Sequence, residues 1–276
     1  MQPSSFDPEE KLWRYLDLGK FLELLISRSI HFTRSDLFDD PFEGTINQST
    51  HQAYIQTVEN GLREQSKPGV LRAYVKRKGE YIVFSEKPSD VGKALSETLF
   101  WIRGHTFVNC WHRNANESEA MWRLYCKNLS EAVVIRTTVK KLAAGIASSI
   151  EIAPITYVDY AGAEIFPDYF SAPFKTKRIS FSHEHELRLI IQEPPISSLN
   201  DGLKSFDIGK TIEEKGKSVE LLTNLEDVIE EVRLSPSASP WLSQMLSRLL
   251  EKIGVNIPII NSEIQILPFT AHNEHH

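Results

Sequence analysis

The sequence predicts an α+β fold, a mixed and partly antiparallel sheet with flanking helices. Three observations point there. Short β-branched or aromatic runs with period-two alternation recur along the chain. Apolar residues at helical spacing fall between them, but irregularly rather than in a strict strand–helix alternation. No internal repeat or low-complexity tract breaks the pattern. With 276 residues, 41% hydrophobic and 25% charged, the chain can bury a sizeable core. One domain over 1–276 is expected, with its core from about 11 to 270.

The elements follow in order. "LWRYLDL" alternates Leu12, Arg14 and Leu16 against Trp13, Tyr15 and Asp17 and reads as a strand. "GKFLELLISR" sets Phe21, Leu22, Leu25 and Ile26 at helical spacing. "SIHFTRS" is extended, with Ile30, Phe32 and Arg34 alternating against His31 and Thr33. "DLFDDPFEG" must be a loop, because Pro41 excludes a central strand and biases Asp40 away from helix. Residues from about 47 to 64 suit a helix and "REQSKPG" a loop, while 80–105 shows no clear period. "FVNCWH" predicts a strand, and "ANESEAMWRLYCKN" a helix with Met121, Trp122 and Tyr125 on one face. "EAVVIRTT" is a strand, "TVKKLAAGIAS" a helix and "EIAPITYVDY" another strand. "ISFSHEHELRLII" also reads as a strand, and "EPPISSLNDG" as a turn-rich break. "VIEEVRLSP" predicts a strand. "SPWLSQMLSRLLEKIG" predicts a helix with Ser239 as N-cap, Pro240 at the first position and Gly254 as its stop. "SEIQILPF" closes as a short extended piece.

Charge and cysteine content narrow the function. A net charge of −6 argues against a general nucleic-acid binder, and "VKRKGE" near Arg77 reads as a solvated turn. Cys110 and Cys126 are too few for a disulfide framework or a zinc site of the usual spacing. A reducing cytoplasm is the expected location. "MQPSSFDPEEKLW" has neither the charged nor the apolar region of a signal peptide, and no apolar run approaches the ~20 residues that span a bilayer. No membrane association is expected.

The chemistry concentrates in Ile179–Ile191. As a strand it puts Phe181, His183, His185, Leu187, Leu189 and Ile191 on one face. Glu184, Glu186 and Arg188 then line the other, with neighbours roughly 6.5–7 Å apart. Buried carboxylates at that spacing repel, which raises the pKa of at least one, and Arg188 offsets this by pairing with Glu186. The bland reading is a solvated strand face carrying a salt bridge. Arg14 weighs against it, since a guanidinium between Leu12 and Leu16 needs a carboxylate or phosphate partner. Either the two strands supply each other's partners, or both face a cleft and hold an anionic ligand with sugar hydroxyls. His183 and His185 point away from the glutamates, so no metal is expected at "SHEHE". Cys110 and His112 share a strand face, but a thiol nucleophile needs an independent base and orienter, and core packing accounts for them better. No phosphate loop, nucleophile elbow or zinc-protease motif occurs. Asp40 and Glu43 either line the cleft or form an Asp–Pro turn. Lys177 and Arg178 either steer an anion or solvate a strand start. Trp122 reads as core, Arg123 as a residue that could reach a phosphate, and His31 as a partly buried histidine.

"LWRYLDLGKFLELLISRSIHFTRSDLFDDPFEG", "CWHRNANESEAMWRLY", "KRISFSHEHELRLI" and the tail from "VIEEVRLSP" to "NSEIQI" resemble the bacterial domain of unknown function family 2971. The resemblance covers nearly the whole chain, with Phe181 in place of the usual tryptophan and Asp39 in place of the usual asparagine. The family's layout is similar to ADP-ribosyltransferase-like folds, which place a basic residue on the first strand and a glutamate on a late one. Carried onto this chain, the resemblance implies Glu184, Glu186 and Arg14 as catalytic residues. It implies Arg14, His31, Thr33, Arg188 and Arg123 as binding residues for NAD, used as substrate without a metal. The arginine would grip phosphates or ribose, and a glutamate would take a ribose hydroxyl and steady the oxocarbenium as nicotinamide departs. The expected function is ADP-ribosyl transfer to a protein or nucleic-acid acceptor, as a toxin or phage-defence effector with a cognate antitoxin or regulator. The rival expectations are a non-catalytic nucleotide- or anion-binding module, a metal-dependent nuclease or hydrolase, and a purely structural polar network.

Overall fold

The computed structural model describes residues 7–64, 73–77, 80–85, 91–162, 170–199 and 204–265. It shows an α+β fold with a mixed, partly antiparallel sheet. The first third of the chain supplies β1 (Lys11–Asp17), α1 (Leu18–Ser27), β2 (Ser29–Arg34), α2 (Gln48–Glu64), β3 (Ala73–Arg77) and β4 (Glu80–Ser85). The middle supplies α3 (Val91–Arg103), β5 (Thr106–Arg113), α4 (Glu119–Tyr125), β6 (Ala132–Thr138) and α5 (Val139–Ala144). Four short strands follow, β7 (Glu151–Pro154), β8 (Thr156–Val158), β9 (Thr176–Arg178) and β10 (Glu186–Gln192). The last part holds β11 (Ile196–Ser198), β12 (Lys204–Phe206), β13 (Gly216–Glu220), α6 (Leu225–Val228), β14 (Glu231–Leu234), α7 (Pro240–Ile253) and β15 (Ile259–Asn261).

Nine strands make the main sheet, in the order β13-β2-β5-β1-β6-β14-β15, with β10 on β5 and β7 on β10. A four-stranded sheet, β11-β12-β4-β3, and the parallel pair β8-β9 stand beside it. Leu12 and Leu16 of β1 enter the largest core, where Phe21, Leu24 and Leu25 of α1 and Leu242, Leu246 and Leu250 of α7 cover one side of the main sheet. The four-residue spacing of those α7 leucines is one helical stripe. Trp13 and Tyr15 pack on the other side with Met121 and Trp122. A third cluster gathers Leu95, Leu99 and Ile102 of α3 around Phe174 and Ile190. Among the described residues no helix is long and apolar enough to cross a membrane.

β1, α1, β2, α2, β5, β6 and α7 lie where the sequence puts them. Pro240 opens α7 and Gly254, at φ 70°, ends it; Ser239 precedes it in extended conformation but makes no side-chain cap. Six expectations need correction. Ile179–Ile191 is not one strand: Ile179–Glu184 is a 3₁₀ turn, His185 sits at φ 42°, and β10 starts at Glu186. The serines and histidines of that half contribute little to a packed strand face, and turning lets Glu184 fold back onto Lys177. "EIAPITYVDY" is two strands, because its partner changes after Ile155: β7 pairs with β10, a ladder that Ile155 N–H extends to Glu186 C=O at 3.0 Å, while β8 pairs in parallel with β9. The predicted helix at 115–128 is shorter: Ser118 caps it through Met121 N–H. "VIEEVRLSP" begins inside α6, held by a capping box between Asn224 and Asp227, so its strand is Glu231–Leu234. The break at 193–202 contains β11. "SEIQILPF" starts in a 3₁₀ turn at Glu263–Gln265, after β15. The remainder of that piece, most of "REQSKPG" and the turn inside "VKRKGE" fall outside the described residues.

Candidate functional site

The site begins with a conflict over one strand edge. β10 pairs with β5 along the whole of one edge, from Glu186 opposite His112 to Gln192 opposite Thr106. The other edge is shared. β1 takes its end, with Leu12 opposite Arg113 and Trp13 opposite His112. β2 takes its start, with Thr33 opposite Val108 and Arg34 opposite Phe107. Between these grips Asn109, Cys110 and Trp111 have no ladder partner on that edge, and β1 and β2 part. Two side chains span the opening: Arg14 Nη2 and Asn109 Nδ2 both donate to His31 C=O, at 3.4 and 2.8 Å.

A cavity of about 460 Å³ fills this fork. Arg14, His31, Thr33, Glu184 and Glu186 all line it, with Asn109, Cys110, Trp111, His112, Tyr125, Lys20 and Ser218. Five of the predicted site residues therefore share one hollow. Arg14 approaches the Trp111 ring at 5.9 Å, and among the described residues it makes no ion pair. Burial lowers it to about 10, which leaves it charged at neutral pH. His31 sits against Gly216, where a Cβ would lie 2.4 Å from the imidazole, so a glycine is what lets the ring lie flat on β13. Its Nδ1 is 3.4 Å from Ser218 Oγ, and burial and then Arg14 lower its pKa.

The carboxylates are held from behind. Lys177 Nζ donates to Glu184 Oε2 and to Glu186 Oε1, the latter at 3.1 Å. Arg188 Nε donates to Glu186 Oε2 at 2.8 Å, and its two terminal nitrogens grip both oxygens of Glu43. Burial and the neighbouring Glu186 raise Glu184 to about 7. Burial would raise Glu186 as well, but Arg188 and then Lys177 outweigh it and hold this carboxyl near 2. Adjacent carboxyls driven apart in this way are a proton carrier and a fixed anion. Phe181 covers Lys177, with the ammonium 4.7 Å from the ring centroid.

Two of the predicted binding residues lie elsewhere. Arg188 is fully buried outside the cavity lining, because Glu43, Glu186 and the Phe174 carbonyl consume its donors. Arg123 is on the exposed face of α4, paired with Glu119 at 2.7 Å. Asp40 and Glu43 do not line the cleft either. Asp40 accepts from Phe42 N–H and from Arg178, a turn that feeds Glu43 under Arg188. Gly44 completes the turn at φ 64°, where a Cβ would strike the Phe174 ring at 2.5 Å. Of the two arrangements open to Arg14, direct pairing with the glutamates is not made; Glu186 pairs with Arg188 as expected, and Lys177 binds both glutamates.

Sequence reasoning did not single out Asn109 or Tyr125, read His112 as core, and left Lys177 between steering an anion and solvating a strand start, whereas it is buried and holds both glutamates. Alternation in "FVNCWH" could have flagged His112, since it sits opposite Glu186. Its Nδ1 lies 2.7 Å from Glu184 C=O and must donate there, and burial lowers its pKa, so the ring is neutral. Burial pushes Cys110 up to about 12, which makes it a poor nucleophile. Burial and then Glu184 raise Tyr125. Among the described residues no group of three or more His, Cys, Asp or Glu is arranged to hold a metal ion. A scan against protein-family models finds no match to this chain, and a search of curated proteins finds no relative.

Proposed function

We propose that the fork cavity is the active site of an NAD-using, ADP-ribosyltransferase-like enzyme. One observation carries the reading: a guanidinium with no carboxylate partner among the described residues shares a cavity with two glutamates held from behind by Lys177 and Arg188. Arg14 is suited to the ligand's diphosphate. Glu186, anionic and immobile, is suited to the positive charge that develops on the ribose as the C–N bond to nicotinamide breaks and the ring leaves with its electron pair. Glu184 can take the proton that the acceptor nucleophile loses on attacking the ribose carbon. The order of Arg14, His31 or Thr33, and the two glutamates along the chain supports the same reading by analogy with ADP-ribosyltransferase-like folds.

Calorimetric titration with NAD beside an assay for released nicotinamide tests it. Saturable binding and slow release are expected, with Arg14→Ala weakening binding at least tenfold. Glu184→Gln should abolish release without lowering the melting temperature. Glu186→Gln is the poorer probe, since it strands Lys177 and Arg188. Binding without release would make the protein a nucleotide-binding module. Neither binding nor release would end the NAD reading.

A further inference from the structure

The acidic wall of the cavity has an uneven charge count. Glu43, Glu184 and Glu186 face two cations, Lys177 and Arg188, and all five side chains are buried. Arg188 holds Glu43 and one oxygen of Glu186, and Lys177 is divided between Glu186 and Glu184. A buried cluster with one uncompensated negative charge is costly, so it gains a positive charge from somewhere. The group placed to take it as a proton is Glu184, which lines the hollow and shares Lys177 with Glu186.

Two further atoms point to what replaces it. His112 donates through Nδ1 to Glu184 C=O, which leaves Nε2 as an acceptor with no partner, in a side chain 8% exposed. Asn109 donates through Nδ2 to His31 C=O, which leaves Oδ1 as a second unpartnered acceptor, in a side chain 2% exposed. Both residues line the cavity with Glu184. The wall thus offers acceptors and negative charge, while Arg14 offers positive charge across the fork.

We propose that the cavity selects a ligand carrying both charges, an anionic group for Arg14 and a cationic group that displaces a single exchangeable proton from Glu184. The proposal rests on the nucleotide reading above and adds the charge of the group that must sit at the glutamates. On binding, the Glu184 O–H bond breaks and its proton passes to the buffer; no other bond changes. The groups that face Glu184 from other elements do not compete with it as the site of exchange. Lys177 from β9 and Arg188 behind Glu186 on β10 keep their charge. Tyr125 from α4, Tyr157 from β8 and Cys110 from β5 are held neutral by burial, and His112 is neutral. His183 and His185 flank Glu184 in its own segment.

Calorimetry with NAD in two buffers of different ionisation enthalpy counts the protons. About one proton should be released per NAD bound near pH 6 and about a tenth near pH 8, because Glu184 titrates between them. Glu184→Gln should release none. NADH, with the same phosphates but a neutral ring, should bind at least tenfold more weakly than NAD near pH 8. Equal affinity for the two with no proton released overturns the cation requirement and leaves the nucleotide reading standing. Failure of NAD to bind ends the nucleotide reading, and the ligand-free protein then decides the charge question. Its infrared spectrum should show a protonated carboxyl band that titrates near pH 7, is missing in Glu184→Gln and is lost on adding 1-methylnicotinamide. A spectrum without that band, or a band that this cation leaves unchanged, overturns the inference.

Discussion

Arg188→Met tests the buried ladder most directly. The substitution keeps most of the side-chain volume but removes the cation that holds Glu43 and Glu186, which are 3% and 4% exposed. Breaking a buried pair by removing one partner costs about 3–5 kcal/mol, because the charge left behind has lost both water and partner. An unfolding entropy of about 2.1 cal/mol/K per residue makes this a fall of about 5–9 °C in Tm for a chain of this length. The pH dependence carries the diagnosis. In the native protein the Glu186 pKa is depressed, so its stabilisation is present above the ordinary carboxyl value of 4.5 and is lost as pH falls through about 2. Without Arg188 the largest influence that lowers Glu186 is gone, and burial raises its folded-state pKa instead. The variant's stability is then fullest below that ordinary value and is lost as pH climbs. The Tm gap between the two proteins should therefore narrow toward pH 5 and widen toward pH 8, as read by scanning calorimetry. A gap of the same size at both pH values would mean that lost packing, and not stranded charge, explains the effect. A gap under about 2 °C throughout would refute the ladder.

Two other outcomes follow from the same geometry. Glu184, raised from 4.5 to about 7, contributes stability that is fully present below pH 4.5 and lost as pH rises through 7. The unfolding free energy from denaturant titration should fall over that window by about 3 kcal/mol, and this contribution should vanish in Glu184→Gln. Gly216→Ala places a methyl group 2.4 Å from the His31 ring and 2.9 Å from Phe32 C=O. The strand must shift, at a cost of about 1–3 kcal/mol, and NAD binding should weaken with it; unchanged melting and binding would show that β13 yields freely.

Much of the scaffold was legible because its causes are local. The alternation in "LWRYLDL", the apolar stripe of α1 and the Pro240 and Gly254 punctuation of α7 each act within a few residues. Arg14 stood out for the same reason, as a cation between two core leucines. Three features escaped because their causes are distant in sequence. The turn at His185 is favoured by Lys177, seven residues before Glu184 and on another strand. Glu43 is separated from Arg188 by 145 residues, and nothing in "DPFEG" says which cation will be above it. His112 becomes a site residue through its cross-strand position opposite Glu186.

The fork explains how the site can exist at all. Trp13 and Glu186 both stand opposite His112, so all three side chains leave the sheet on one face. Arg14 is the next residue after Trp13 and must leave on the other face, where Leu12 and Leu16 enter the main core. In an unbroken sheet Arg14 and Glu186 would be separated by the backbone layer, and the two-strand pairing that the sequence suggests would be impossible. Because β1 and β2 contend for one edge of β5 and part after two residues each, the layer is open over Asn109–Trp111. Through that opening, groups from opposite faces reach the same hollow. The polarity of the hollow follows from this origin, with cation and carboxylates entering from different sides of the sheet and each braced by its own partners. Among the described residues Arg14 makes no ion pair with either glutamate, and a ligand carrying both charges would bridge them.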